Sequence, residues 1–157
     1  MWATIEHGKK VWDMIDQITV FLENKEGRLA SLCRAMGDAG INMHALTIAD
    51  TTDYGVVRVI ADKPQAAVKA LGEAGYRASI AKVSAIAIPN VPGALAGLLE
   101  LFDANDIDIQ YGYCMSMANG KVVDILKVSG AEEAAKAIAV EAAGYKILQP
   151  ADVYEVD

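Results

Sequence analysis

Residues 18–42 read ITVFLENKEGRLASLCRAMGDAGIN and residues 84–108 read SAIAIPNVPGALAGLLELFDANDID. The stretches start 66 residues apart, 18 against 84, and at that offset Asn24 meets Asn90, Gly27 meets Gly93, Leu29 meets Leu95, Leu32 meets Leu98, Met36 meets Phe102 and Ile41 meets Ile107. Self-similarity at a fixed spacing marks a duplicated unit. The match resumes at an offset of 69, where Ala74-Gly75-Tyr76 corresponds to Ala143-Gly144-Tyr145. The chain therefore divides into an N-terminal extension, residues 1–14, and two units, residues 15–82 and 83–157.

Each unit carries the same order of signals. Ile18, Val20 and Leu22 alternate with Thr19, Phe21 and Glu23, the period of two of a strand. From Gly27 the period changes, and Leu29, Leu32, Cys33 and Met36 follow the i, i+3, i+4, i+7 stripe of an amphipathic helix, as do Leu95, Leu98, Leu99 and Phe102. Gly40 is placed to close the first helix, and Pro92 stands where a first helical residue would. Two strands joined by a hairpin follow, turning at Asp53-Tyr54-Gly55 in the first unit and at Asn119-Gly120 in the second. An alanine-rich helix spans Pro64 to Ala74 and Ala131 to Ala143, and a fourth strand begins at Tyr76 or Tyr145.

The order is βαββαβ, twice. The fold class is α+β, two ferredoxin-like units with antiparallel sheets and helices on one face. Strand 2 then lies at a sheet edge, and in the second unit it exposes Tyr111, Tyr113, Met115 and Met117 on one face. Such an edge is a pairing template unless something covers it. A second copy is the economical cover, so a homodimer is expected.

Composition narrows the function. At 54% hydrophobic and 22% charged, the chain can bury a core, and 14 basic against 21 acidic residues give a net charge of −7. That balance opposes a nucleic-acid partner or an anionic membrane surface. No apolar run approaches the roughly 20 residues of a spanning helix. The two cysteines, Cys33 and Cys114, form no CxxC pair and no metal-ligand spacing, so no metal or cofactor is expected and the cytoplasm is the expected address. The extension, with Trp2, Trp12, Lys9 and Lys10, reads either as an arm that packs on a neighbour or as a flexible tail before a start at Met14.

The stretches Asn24-Lys25-Glu26-Gly27-Arg28-Leu29 and Asn90-Val91-Pro92-Gly93-Ala94-Leu95, each after an apolar strand and each followed by a Gly-Ile-Asn or Asp-Ile-Asp start to strand 2, resemble the ACT domain family. The resemblance covers Ile15 to Val156 as two tandem copies with no catalytic domain attached. It implies small regulatory modules that bind a free amino acid where two copies meet. The residues agree independently. A glycine at a helix mouth permits close backbone approach, and the free N–H groups and positive dipole end suit a carboxylate. Asn24 and Asn90 add amide donors and acceptors. By the resemblance, Asn42 and Asp108 reach across to the partner's loop and receive the ammonium. One site would join the Asn24–Leu29 loop to Asp108, and the other the Asn90–Leu95 loop to Asn42. Asp108 carries a full charge, so the first pairing is expected to be tighter.

The sequence departs from the family pattern in places. Glu26 replaces the proline that Pro92 keeps. Arg28 opposes the helix dipole and reads either as a clamp on the ligand carboxylate or, more ordinarily, as a solvated side chain paired with Glu23 or Glu26. Leu22 and Ile88 favour an apolar amino acid. An enzyme is not expected: no serine, cysteine or carboxylate is spaced to form a triad with His44, and Asp103, Asp106 and Asp108 read as a polar turn, without a calcium-loop pattern. The other regulatory reading is a non-catalytic subunit that acts by contact with a biosynthetic enzyme or a transcription regulator.

Overall fold

The computed structural model describes the chain apart from residues 1, 2, 7, 8, 13, 24, 51–53, 118 and 131–143. The first repeat runs β3 (Ile15–Glu23), α1 (Arg28–Asp38), β4 (Met43–Asp50), β5 (Tyr54–Ala61), α2 (Pro64–Glu73) and β6 (Arg77–Pro89), with strand order β4-β5-β3-β6. The second uses the later residues of β6, then α3 (Ala94–Ala104), β7 (Ile109–Ser116), β8 (Lys121–Val128) and β9 (Lys146–Ile147), with order β7-β8-β6 and β9 pairing β6. All of the registered pairs are antiparallel. The expected helix over 131–143 and the turn residue Asp53 lie outside the described residues.

The duplication extends to individual hydrogen bonds. Ser31 N–H donates to Gly27 O, and Gly97 N–H to Gly93 O, both at 3.0 Å. Ile41 N–H donates to Met36 O, and Ile107 N–H to Phe102 O, again both at 3.0 Å. The left-handed turn that ends each helix is made by Gly40 at φ 71° in one repeat and by Asp106 at φ 55° in the other. Aspartate tolerates that region better than most side chains. Asp106 N–H also donates to Asp103 O at 3.2 Å, which accounts for part of the acidic cluster as a turn.

Each repeat buries one core between its sheet and helices. Ile18, Val20 and Leu22 of β3 meet Val57 and Val59 of β5, Leu32 and Met36 of α1, and Leu71 of α2. In the second repeat Ile86 and Ile88 meet Leu126, Leu98 and Phe102. The buried stripes are narrower than the periodicity suggests: Leu95 and Leu99 are 43% and 38% exposed. Leu98 and Phe102 stand one turn apart and point at the sheet. Leu99 lies about 100° further round the axis, and Leu95 belongs to the first turn at the helix mouth. Pro92 stands before the N-cap Gly93, so the first helical residue is Ala94; Pro64 does open α2.

Three further expectations change. Before the repeat, β1 (Ala3–Glu6) pairs antiparallel with β2 (Lys9–Trp12), in place of a flexible tail. On the edge strand β7, Tyr111, Tyr113, Met115 and the adjoining Met117 are half-buried, while Gly112, Cys114 and Ser116 are exposed. The aromatic side shares a face with Val123 and Ile125, which are buried, so it is the opposite side that meets solvent. Lastly, the C-terminal residues Val153–Asp157 group with Asp16–Ala81, whereas Met1–Ile15 group with Lys82–Asp152.

The C-terminal residues are held by specific bonds. Tyr154 is buried, and its hydroxyl accepts from Asp16 N–H at 2.9 Å. Lys63 N–H donates to Glu155 O at 2.7 Å, and Glu155 N–H to Asp62 Oδ1 at 2.6 Å. The N-cap of α2 is Lys63, which offers no side-chain cap; Asp157 Oδ2 instead accepts from Ala66 N–H at 2.7 Å. An anion there also suits the helix dipole. The Glu155 N–H, together with His44 Nε2 at 2.8 Å, holds the Asp62 carboxyl below its ordinary 3.8. A lowered pKa contributes stability above the unfolded value and loses it as pH falls through the folded one. The Glu155 amide is thus expected to lose hydrogen-exchange protection below pH 3.8. In Asp62→Ala it loses protection at neutral pH as well; unchanged exchange there would disprove the arrangement.

Candidate functional site

Both strand-1-to-helix loops reach the helix through a left-handed glycine. Gly27 has φ 82°, ψ −7° and Gly93 has φ 86°, ψ −9°; neither helix has a side-chain cap or an acid in its first turn. The first-turn donors and the positive end of each dipole are therefore not neutralised by the helix itself.

At the mouth of α1 lies a cleft of about 280 Å³ lined by Leu22, Glu23, Lys25, Arg28, Leu29, Ile48, Gly55 and Val57. Its wall is built from the end of β3, the first turn of α1 and the paired strands β4 and β5. Glu23 and Lys25 form an exposed ion pair at 2.8 Å, which holds the Glu23 carboxyl below the usual range. Arg28 departs from the solvated reading. It is half-buried, its guanidinium stacks over the Tyr76 ring at 4.5 Å, and its Nε is buried with no hydrogen-bond partner among the described residues. Stacking on an aromatic face offsets the unfavourable placement of a cation at a helix N-terminus. The aromatic partner is 48 residues away, beyond any local pattern.

The remaining predicted residues fall as follows. Gly27, Arg28 and Leu29 come together at this mouth, and Asn24 lies outside the described residues. Asn42 is exposed, is not among the cleft-lining residues, and its carbonyl accepts from Asp62 N–H at 3.0 Å. Asp108 is exposed, and its backbone bonds Ser129 twice, N–H to Oγ at 3.0 Å and carbonyl to N–H at 2.9 Å. Just beyond these residues each edge strand has an irregularity at the same place, Met43/Ala45 and Ile109/Tyr111. A bulge re-aims the side chains around it. In the second repeat Asn90 is exposed, Leu95 is 43% exposed and Gly93 caps α3. The Ala94 carbonyl accepts from Tyr145 Oη at 3.1 Å. His44, which the sequence places in no triad, pairs through Nε2 with Asp62 Oδ1 at 2.8 Å.

One residue was not singled out in the sequence. Asp124, 4% exposed, interrupts the apolar run Val122, Val123, Ile125, Leu126, and burial raises its pKa. The signal was there, a carboxylate in a strand that is otherwise buried. Among the described residues no group of three or more potential ligands gathers to hold a metal, and no helix is long and apolar enough to cross a membrane.

Two repeats that each lead from an apolar strand through a left-handed glycine into a helix define a tandem α+β architecture. The chain belongs to the ACT domain pair family, whose model matches residues 13–150. No curated protein matches the sequence. Among solved structures it is similar to protein BT0572 from Bacteroides thetaiotaomicron, with 31% identity over 85% of this chain and 92% of that one and a TM-score of 0.78. It shares its fold with the regulatory subunits of aspartate kinase from Thermus thermophilus, in ligand-free form, and from Thermus flavus. Both are 18% identical and cover 81% of this chain; they align over 91% and 92% of their own lengths with TM-scores of 0.58 and 0.56.

Proposed function

We propose that this chain is a regulatory protein that binds a small free amino acid with an apolar side chain. The cleft at α1 carries the reading, because it sets an uncapped helix N-terminus, Arg28 and Lys25 beside an apolar wall of Leu22, Leu29, Ile48 and Val57. A carboxylate is served by the helix donors and the guanidinium, and an aliphatic side chain by the wall. About 280 Å³ lies at the small end of ligand sites, which suits an amino acid better than a nucleotide. The ammonium is assigned to the strand-2 residues of a neighbouring copy, Asp108 for the Asn24–Leu29 loop and Asn42 for the Asn90–Leu95 loop.

Thermal-shift screening against twenty amino acids tests the reading. A ligand that binds only the folded state adds about 2.7 kcal/mol at a hundredfold excess over Kd. A rise confined to aliphatic amino acids is the expected result, and no rise at millimolar ligand would end the proposal. Calorimetry on Asp108→Asn and Asn42→Ala then tests the ranking, with the larger loss expected from Asp108.

A second reading, control through protein contact, draws support from the edge strand β4, where Leu46 and Ile48 are 38% and 48% exposed. Such an edge asks for a cover, and a homodimer is the first candidate. Gel filtration with and without amino acids, alongside a pull-down, separates a ligand sensor from a subunit of a larger assembly.

A further inference from the structure

The second repeat carries a carboxylate where the first has a wall of its cleft. The registers establish the correspondence: Val20 pairs with Val57, and Ile86 with Asp124; on the edge strands Ile48 pairs with Val57, and Cys114 with Asp124. Val57 lines the cleft at α1. Asp124 points to the helix-covered face, in line with Val122 and Leu126, which pack in the cluster around Phe102. Its Oδ2 is buried and has no hydrogen-bond partner among the described residues.

An unmatched buried oxygen costs about 1–3 kcal/mol, so packing alone gives no reason for an acid here. The charges at the two helix mouths are also exchanged. Val91 and Ala94 stand where the first repeat has Lys25 and Arg28, so no cation competes for Asp124 from those positions. On the same side of the neighbouring edge strand β7 stand only small, exposed residues, Gly112, Cys114 and Ser116.

We propose that the second repeat holds a binding site for a primary ammonium group, received by the Asp124 carboxylate. This rests on the amino-acid reading for the physiological source of the ammonium, which would be an amino acid or a simple amine. The group supplies the donors that Oδ2 lacks, and burial strengthens the charge-assisted bond.

The experiment uses the full chain with propylammonium, propionate and alanine as probes, followed by titration calorimetry and thermal shift. Propylammonium is expected to bind the wild type and to bind Asp124→Asn roughly ten- to a hundredfold more weakly. Propionate binding should be unaffected. A second variant guards against misfolding of the first: Cys114→Lys sets an ammonium across the strand from Asp124, within reach of a cross-strand neighbour. It is expected to raise the melting midpoint and to abolish propylammonium binding. Equal propylammonium affinity in wild type and variants, or none in the wild type, overturns the proposal. If the twenty amino acids leave the midpoint unmoved while propylammonium binding depends on Asp124, the amino-acid reading fails and this site stands. If alanine binds and neither variant alters amine or alanine binding, the site fails and the amino-acid reading stands.

Discussion

Phe102→Ala is expected to lower the stability of the protein by about 3–5 kcal/mol, the usual cost of emptying an aromatic site that cannot collapse. Phe102 is 0% exposed and packs in the cluster that contains Ile86, Leu98, Leu126 and Ile147. The expected loss is a large share of the roughly 5–15 kcal/mol that holds a typical domain folded. Leu95→Ala, in the same helix at 43% exposure, should cost no more than about 1 kcal/mol. Urea unfolding followed by circular dichroism measures both. Similar losses from the two would mean that α3 does not present Phe102 to the sheet as described.

Gly27→Val and Gly93→Val are expected to destabilise the protein by about 2 kcal/mol each and to weaken ligand binding at the helix mouth. The cause is conformational, for nothing lies within 4 Å of a Cβ built at either glycine. The left-handed φ of 82° and 86° is what a branched side chain resists. Asparagine, which visits that region more readily, should cost less than half as much. Gly112→Ala offers the steric contrast: its Cβ would meet Leu126 Cδ2 at 2.5 Å and Ile125 O at 3.3 Å. Equal penalties for valine and asparagine at Gly27, read from melting curves, would contradict the backbone explanation.

Much of the architecture was legible before any coordinates. Period-two and helical stretches set out βαββαβ twice, and the matched glycines located both helix mouths. Periodicity reports a direction and not the breadth of what covers it, which is why Leu95 and Leu99 fall on the apolar stripe yet stay exposed. Tertiary partners were out of reach for a different reason. Arg28 finds Tyr76, Asp62 finds both His44 and Glu155, and no local window contains those pairs. Asp124 leaves no such mark, because a single acid in an apolar strand is invisible to patterns that count only hydrophobic positions. The same blindness affected the edge strand β7, where alternation was clear but the choice of solvent side was not.

The tyrosine that follows the second helix segment takes a different pose in each repeat, and its surroundings differ to match. Tyr76 lies under a guanidinium, while Tyr145 donates to the Ala94 carbonyl and passes within 2.6 Å of where a Cβ on Gly97 would stand. The first repeat has Ser31 at the position of Gly97. A Cβ at that place blocks the tyrosine pose of the second repeat, so exchanging Arg28 for alanine alone does not convert one arrangement into the other. A chimera that swaps the two loops without position 97 therefore inherits a mismatch that neither parent half contains.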